Sequence, residues 1–129
     1  MLLKDKFYSI IDQSETKHEG QAHSAVFRVA ILPDCNVYDG HFPGDPVCPG
    51  VCNIETIKEC TMTLLGQPLR ISTIKQCRLT AIATPTVCPE VTVTINATQK
   101  DEDNYTVQAS IADAQQSYML YKGEMKREA

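Results

Sequence analysis

A histidine and a glutamate stand fourteen positions apart in residues 40–55, a stretch that reads GHFPGDPVCPGVCNIE. Its three prolines restrict φ, and its three glycines permit backbone conformations that other residues avoid. Such a segment is stiff and specifically shaped, which is what a pair of catalytic groups requires. His41 can act as a base near neutral pH, and Glu55 can supply a carboxyl group.

The residues around Gly50 predict the start of a helix next to this pair. Pro46 and Pro49 favour extended conformations in the residues before them, so the chain reaches the helix as a rigid arm. Gly50 would let a ligand approach the free N–H groups of the first helical turn, at the positive end of the helix dipole. A carbonyl oxygen placed there would be polarised toward an enolate. The combination suits removal of a proton α to a carbonyl with loss of a β-hydroxyl group.

Opposing influences are expected on the Glu55 carboxyl group. Burial in an apolar tunnel would raise its pKa, whereas the nearby helix N-terminus would lower it. Lys58, three residues later, would favour the ionised carboxylate, and Glu59, four residues later, would oppose ionisation. The sequence leaves the balance between these influences open.

The helix that carries Glu55 is predicted over residues 51–65. Apolar residues recur there at helical spacing, which predicts one buried stripe. Gly66 suits the position after the helix end, and Pro68 prevents the helix from continuing. The stripe consists of Val51, Ile54, Ile57, Cys60, Leu64 and Leu65.

The other regular elements are predicted to be strands. Residues 5–12 could form a short first strand, residues 14–23 form a polar turn, and residues 24–32 form a strand. After the helix, residues 71–82 are rich in β-branched side chains. Strict alternation of apolar and polar residues predicts strands over 91–98 and 105–111, and residues 117–126 complete the series. The short connections between these last three strands make them antiparallel.

One helix and five or six strands predict an α+β fold in which a curved antiparallel sheet wraps around the helix. At 129 residues, the chain should form one domain, residues 1–129, with one hydrophobic core. Such a sheet retains unpaired edges, so dimerisation is expected to cover them.

Composition and charge exclude several classes of protein. The net charge of −4 argues against a nucleic-acid-binding protein. No apolar run approaches the roughly 20 residues that a membrane-spanning helix requires. The first residues, MLLKDKFYSI, lack the apolar core of a signal peptide, so the protein is expected in the cytoplasm.

Six cysteines are many for a chain of this length. In the cytoplasm they are expected to pack as small hydrophobic side chains rather than to form disulfides. A metal site that combines His41 with Cys48 and Cys52 is less favoured, because CxxxC spacing fits neither a redox motif nor a common zinc knuckle. We therefore expect no metal and no cofactor.

Two basic clusters are candidates for contact with an acidic partner, although solvated strand faces explain them more simply. The two other histidines, His18 and His23, are expected to be solvated side chains in and beside the polar turn. The basic clusters comprise Arg70, Lys75 and Arg78, and Lys122, Lys126 and Arg127.

The pattern in residues 40–55 resembles the signature of the β-hydroxyacyl-acyl-carrier-protein dehydratases of bacterial fatty-acid synthesis, which have the hot-dog fold. A looser resemblance extends over the whole chain, because the order of strands, loop and helix agrees with the hot-dog layout. The residues that match the signature in order and spacing are His41-Phe42-Pro43-Gly44, Pro46-Val47, Pro49-Gly50 and Glu55.

The resemblance implies a mechanism and a set of partners. His41 would act at the α-carbon, Glu55 from the neighbouring subunit would handle the leaving hydroxyl, and the Gly50 N–H would polarise the thioester carbonyl. The substrate would arrive on the phosphopantetheine arm of an acyl carrier protein, through a tunnel at the interface of a homodimer, a higher oligomer of dimers, or a heterodimer with a related subunit. Phe42, Pro49 and Val51 are expected to bind this substrate together with Gly50.

Departures from the family pattern indicate a divergent member with its own acyl chain. Where the family usually has Ala-Met-Ala-Gln after its glutamate, residues 56–59 are Thr-Ile-Lys-Glu, and Cys48 replaces a common methionine. Dehydratases of specialised polyene or polyketide pathways have this character, so the departures bear on the pathway more than on the reaction. The glutamate at position 55, where the dehydratase/isomerase branch has aspartate, favours a simple dehydratase.

Two other functions are compatible with these residues. A hot-dog thioesterase would need a carboxylate and a water aimed at the thioester carbon, and it gives no role to His41. A non-catalytic, dehydratase-like subunit would bind acyl carrier protein or pair with an active partner. That second alternative is favoured if Lys58 holds Glu55 in a salt bridge away from the pocket.

Overall fold

In a computed structural model, the chain forms one sheet that curves around one helix. The structure describes residues 2–14, 16–33, 35, 48, 50–84 and 88–128. The α+β prediction is confirmed, with seven strands among the described residues where five or six were expected. The elements are β1 (Tyr8–Gln13), β2 (Lys17–Glu19), β3 (Ala22–Ile31), α1 (Gly50–Leu65), β4 (Leu69–Leu79), β5 (Glu90–Gln99), β6 (Asn104–Ala112) and β7 (Ser117–Arg127).

The strands are ordered β1-β3-β5-β6-β7-β4, with β2 also paired to β3. All pairings between these strands are antiparallel. Short turns join β5, β6 and β7, so these three strands are neighbours in the sheet. The segment that contains α1 leads from β3 to β4, which lies at the edge beyond β7.

The expectation of a turn over residues 14–23 is wrong in part, because residues 17–19 form β2. This strand pairs with the start of β3, and Gly20, with φ of 61°, allows the tight reversal between them. His18 and His23 are opposite each other in this pairing and remain exposed or half-buried. Three residues are too few to show an alternating pattern, which explains why the sequence predicted only a turn.

The concave face of the sheet packs against α1, which contacts β3, β4 and β5. The predicted stripe is correct for Ile57, Cys60 and Leu64, which are buried. It is wrong for Val51, which is 73% exposed because none of the described residues covers it. The helix also buries polar side chains, because the curved sheet covers more of its surface than one narrow stripe. These polar residues are Asn53, Thr56, Glu59 and Thr61.

Four of the six cysteines are buried, as expected for small hydrophobic side chains, whereas Cys35 is half-buried and Cys77 is exposed. Within the part of the chain that the structure describes, no helix is both long and apolar enough to cross a bilayer.

Strand β4 bends at two irregularities in its pairing with β7. Gly123 on β7 lies at this bend, where a Cβ atom would stand 2.3 Å from the Thr73 carbonyl oxygen. Glycine is therefore required for the close approach of the two strands. Beyond the bend, β4 reaches the start of α1, where Leu79 Cδ1 lies 3.4 Å from the position of a Cβ atom built on Gly50.

We expect Gly123→Ala to lower the free energy of unfolding by about 1–3 kcal/mol, because the β4 backbone must move away from the added methyl group. Chemical denaturation followed by circular dichroism measures this loss. Lys122→Ala, at an exposed neighbouring position on β7, is the control and should change stability by less than about 0.5 kcal/mol. Equal stability of Gly123→Ala and the parent protein would contradict the close-approach argument.

Candidate active site

Glu55 lies in the second turn of α1, and its side chain is 23% exposed. Gly50 is the first residue of the same helix, and Val51 follows it at the exposed end. The N–H groups of this first turn have no partner within the helix. The remaining predicted site residues, His41, Phe42 and Pro49, lie outside the described residues, so their roles stay predictions.

Two charged residues that follow Glu55 in the helix act on its carboxyl group. Lys58 Nζ lies 3.1 Å from Glu55 Oε2, and Glu59 lies four residues after Glu55 on the same face of the helix. Burial raises the pKa of Glu55 and the hydrogen bond with Glu59 raises it further, whereas Lys58 lowers it. The first two influences outweigh Lys58, so the pKa of Glu55 lies above its ordinary value. The carboxyl group therefore releases its proton at higher pH than an ordinary glutamate does.

Glu59 is completely buried and accepts hydrogen bonds from the N-terminal segment, residues 2–8. The N–H groups of Leu2, Leu3 and Lys4 donate to its carboxylate over 3.1, 3.0 and 3.0 Å. The Tyr8 hydroxyl donates over 3.0 Å. Three successive N–H groups that converge on one anion form a nest, an arrangement suited to a carboxylate.

A tight turn shapes the N-terminal segment for this task. The Leu3 carbonyl accepts hydrogen bonds from the N–H groups of Lys6 and Phe7, over 3.0 and 2.8 Å. Asp5 has φ of 63°, and its N–H donates to the Tyr8 carbonyl over 2.6 Å. Aspartate tolerates this left-handed conformation better than most residues. The turn leaves the N–H groups of residues 2–4 free to face Glu59.

Burial and hydrogen bonding act in opposite directions on Glu59. Burial raises the pKa of its carboxyl group, but the hydrogen bonds from Glu55, the Leu3 N–H, the Tyr8 hydroxyl and the Lys4 N–H together outweigh burial. The pKa of Glu59 therefore lies below its ordinary value, and the group carries a negative charge at neutral pH.

The thiols and the phenol near this pair are neutral. Burial raises the pKa of Tyr8, and the nearby Cys60 and Glu59 add to the effect. Burial, with Glu59, raises the pKa of Cys60 to about 12. Burial, with Cys35 and Glu55, raises the pKa of Cys52.

The sequence did not reveal the contribution of the N-terminal segment to this site. Residues 5–12 were expected to be a strand, but β1 begins only at Tyr8, and residues 5–7 belong to the turn. The position of Glu59 could have indicated this contribution. A charged residue directly before Cys60 of the predicted apolar stripe is expected to be partly buried, and a buried charge needs hydrogen-bond donors from elsewhere in the chain.

Among the described residues, no three histidine, cysteine, aspartate or glutamate side chains converge as metal ligands. His41, which belongs to the less favoured metal alternative, lies outside those residues.

The imidazole rings of His18 and His23 meet edge to face, with centroids 4.5 Å apart.

Two solved structures share this architecture. An uncharacterized protein from Erwinia carotovora subsp. atroseptica is 17% identical and superposes with a TM-score of 0.67, covering 92% of this chain and 94% of that chain. The dehydratase heterocomplex ApeI:P from Xenorhabdus doucetiae includes a chain that is 20% identical, with a TM-score of 0.61 and coverage of 90% and 97%. The protein has the hot-dog fold.

A family model described as ApeI-like, ApeI dehydratase, matches residues 15–120. The chain belongs to this ApeI-like dehydratase family, because the match spans well over half of its length. A search of curated proteins found no match. The resemblance to hot-dog dehydratases that residues 40–55 indicated is therefore confirmed at the level of the family.

Replacing Glu59 by glutamine is expected to lower the free energy of unfolding at neutral pH by about 1–3 kcal/mol, since an amide NH2 group would face N–H donors. Because folding lowers the pKa of Glu59, its stabilisation is present above the unfolded value of about 4.3. The stabilisation is lost as the pH falls through the folded pKa. The stability difference between Glu59→Gln and the parent protein should therefore shrink in acid.

Urea denaturation at neutral and acidic pH measures this difference. Glu102→Gln, in the exposed turn between β5 and β6, is the control and should match the parent protein at both pH values. A difference of the same size at both pH values would show that the ionised carboxylate of Glu59 is not what stabilises the fold.

Proposed function

We propose that this protein dehydrates β-hydroxyacyl thioesters, carried on acyl carrier protein, to trans-2-enoyl thioesters. One observation carries the proposal: in a chain of a dehydratase family, Glu55 is half-buried one turn from the helix N-terminus and has a raised pKa. A raised pKa increases the protonated fraction of a carboxyl group near neutral pH, and the protonated group can deliver its proton to a leaving hydroxyl group.

The proposed reaction assigns a role to each site residue. His41 takes a proton from the α-carbon, while the Gly50 N–H polarises the thioester carbonyl and stabilises the developing enolate. Glu55 gives its proton to the β-hydroxyl group, the C–O bond breaks and water leaves. Phe42, Pro49 and Val51 bind the acyl thioester, and the 73% exposure of Val51 leaves its side chain available for this contact. The proton on His41 returns through solvent to Glu55.

A second hot-dog subunit is proposed to complete the site. Strand β4 is an edge of the sheet among the described residues. Apolar side chains on and after β4 and at the helix start are strongly exposed, which favours burial against a partner. A copy of this chain paired along β4 would cover them, and we propose that its Glu55 completes a site with His41 of the first copy. The exposed fractions are 73% for Val51, 47% for Ile74, 59% for Leu79 and 69% for Ile82.

We expect Leu79→Asp to convert the dimer into a monomer and to abolish turnover, because a carboxylate would be buried without a partner. Light scattering coupled to size-exclusion chromatography measures the mass. Leu120→Asp, 39% exposed on β7, is the control and should leave the dimer intact. A dimer that persists in Leu79→Asp would contradict the β4 interface. A monomeric parent chain that pairs only with a related subunit would instead indicate a heterodimer.

Basic residues on neighbouring strands support an acidic carrier protein as the partner. Arg70 on β4 is directly opposite Lys126 on β7, and Gln76 is opposite Lys122, so the two basic clusters lie side by side in the sheet. Such a surface would attract the carrier electrostatically.

Two observations support the pathway and the compartment. Membership of the ApeI-like family and the departures in residues 56–59 favour a specialised polyene-type pathway over fatty-acid synthesis itself. All six cysteines are free thiols, which is consistent with the reducing cytoplasm.

Mass spectrometry with a β-hydroxyacyl carrier protein tests the reaction directly. The parent protein should cause the loss of one water from the acyl carrier, whereas His41→Ala and Glu55→Gln should each abolish this loss and retain the dimer. Glu102→Gln, in an exposed turn, is the control and should turn over normally. Parent-like turnover in either site variant would contradict the assignment, and release of free acid would indicate a thioesterase.

The ion pair between Lys58 and Glu55, at 3.1 Å, favours a second candidate, a non-catalytic subunit that supports an active partner. In that case the chain alone would dehydrate no β-hydroxyacyl thioester of any chain length, but it would increase turnover by a related dehydratase. The same assay, run with and without such a partner, separates the two candidates.

A further inference from the structure

Glu55 and Glu59 form a pair of carboxyl groups with very different surroundings. Four residues separate them, so they lie on one face of α1, one turn apart. Glu59 is completely buried and accepts four hydrogen bonds from residues of the N-terminal segment. Glu55 remains partly exposed, and its one cationic contact among the described residues is Lys58.

We propose that Glu59 is a positioning residue for Glu55: a buried, ionised carboxylate that accepts the hydrogen bond of the Glu55 carboxyl group and holds its proton at the site. The delivery of that proton to a substrate rests on the proposed function. The relation between the two carboxyl groups does not, because it is a property of the free protein.

The hydrogen-bond donors decide which of the two groups carries the charge. Two adjacent carboxyl groups cannot both ionise without strong repulsion, so one proton is held between them. A carboxylate has about four acceptor sites, and donors from the N-terminal segment already occupy Glu59. Protonating Glu59 would force an O–H group against these donors, whereas the ammonium group of Lys58 is the one donor among the described residues that conflicts with a protonated Glu55. The proton therefore belongs to Glu55.

Three further titratable groups near the pair, all within the described residues, do not compete for this proton. Burial raises the pKa of Tyr8 on β1 and of Cys52 and Cys60 on α1, so all three are neutral. The Lys4 ammonium group lowers the pKa of Cys60, but burial outweighs it. Lys58 is the cation in contact with Glu55 among the described residues. It lowers the pKa of Glu55, whereas Glu59 raises it. His41 lies outside those residues.

Lys58 and Glu59 thus act on the same proton in opposite directions. Removing the charge of Glu59 should release the Glu55 proton at lower pH, and removing the charge of Lys58 should retain it to higher pH. A purely structural role for either residue predicts no such opposition.

The test is a titration of the Glu55 side-chain carboxyl carbon by nuclear magnetic resonance in protein labelled with 13C-glutamate. Loss of one signal in Glu55→Gln assigns the resonance. The midpoint for Glu55 should move to lower pH in Glu59→Gln and to higher pH in Lys58→Gln. An unchanged or higher midpoint in Glu59→Gln would overturn the proposal.

Tyr8→Phe is the matched control, because it removes one hydrogen bond to Glu59 but leaves its charge. The Glu55 midpoint in this variant should stay close to that of the parent protein, although the variant unfolds more easily. A midpoint that falls as far as in Glu59→Gln would assign the effect to loosened packing and overturn the proposal. If Glu59→Gln does not fold, the titration of the parent protein tests the proposal instead. The proposal requires Glu55 to titrate at higher pH than Glu59, and the reverse order would overturn it.

Turnover supplies an independent measurement. A general acid is active while protonated, so the alkaline limb of kcat/KM should move down in pH in Glu59→Gln and up in Lys58→Gln. A limb displaced by about one pH unit changes kcat/KM on that limb about tenfold. Correct titration shifts without any turnover would refute the proposed function and leave the carboxyl relation intact. Turnover with an unshifted Glu55 would overturn the positioning role alone.

Discussion

The burial of one negative charge inside the sheet links the parts of this structure. A carboxylate in an apolar interior is strongly unfavourable unless donors surround it. Glu59 obtains its donors from the backbone of residues 2–4 and from Tyr8, which joins the first segment and β1 to the central helix. Asp5, which has a left-handed backbone conformation, directly follows the residues whose N–H groups are these donors.

The same helix brings its other end to the molecular surface. Strand β4 bends where its pairing with β7 is irregular, and Gly123 provides the space for the close approach of the two strands there. The strand then ends beside Gly50, where the free N–H groups of the helix and the exposed side chains of Val51 and Leu79 lie together. Among the described residues, a helix terminus and exposed apolar side chains therefore share one location, which supports the proposal of a site shared between subunits.

These two constraints meet at Glu55, which lies one turn before Glu59 and one turn after the helix start. Burial and the hydrogen bond with Glu59 together outweigh Lys58, so the pKa of Glu55 lies above its ordinary value. The ion pair with Lys58 does not remove the proton but opposes its retention. Burial is the largest influence on the pKa of Glu55, and Lys58 and Glu59 adjust it in opposite directions.

The sequence by itself determined the fold class, the helix over 51–65 and the dehydratase family, because apolar periodicity and the spacing of the His41 to Glu55 motif are local properties of the chain. It also identified Lys58 and Glu59 as neighbours of Glu55, since helical spacing brings them together. Only the tertiary structure decided which neighbour prevails, which helix residues are buried, and that residues 17–19 pair with β3. The donors that keep Glu59 ionised lie 51 to 57 residues away in the chain, and no local pattern specifies contacts over such distances.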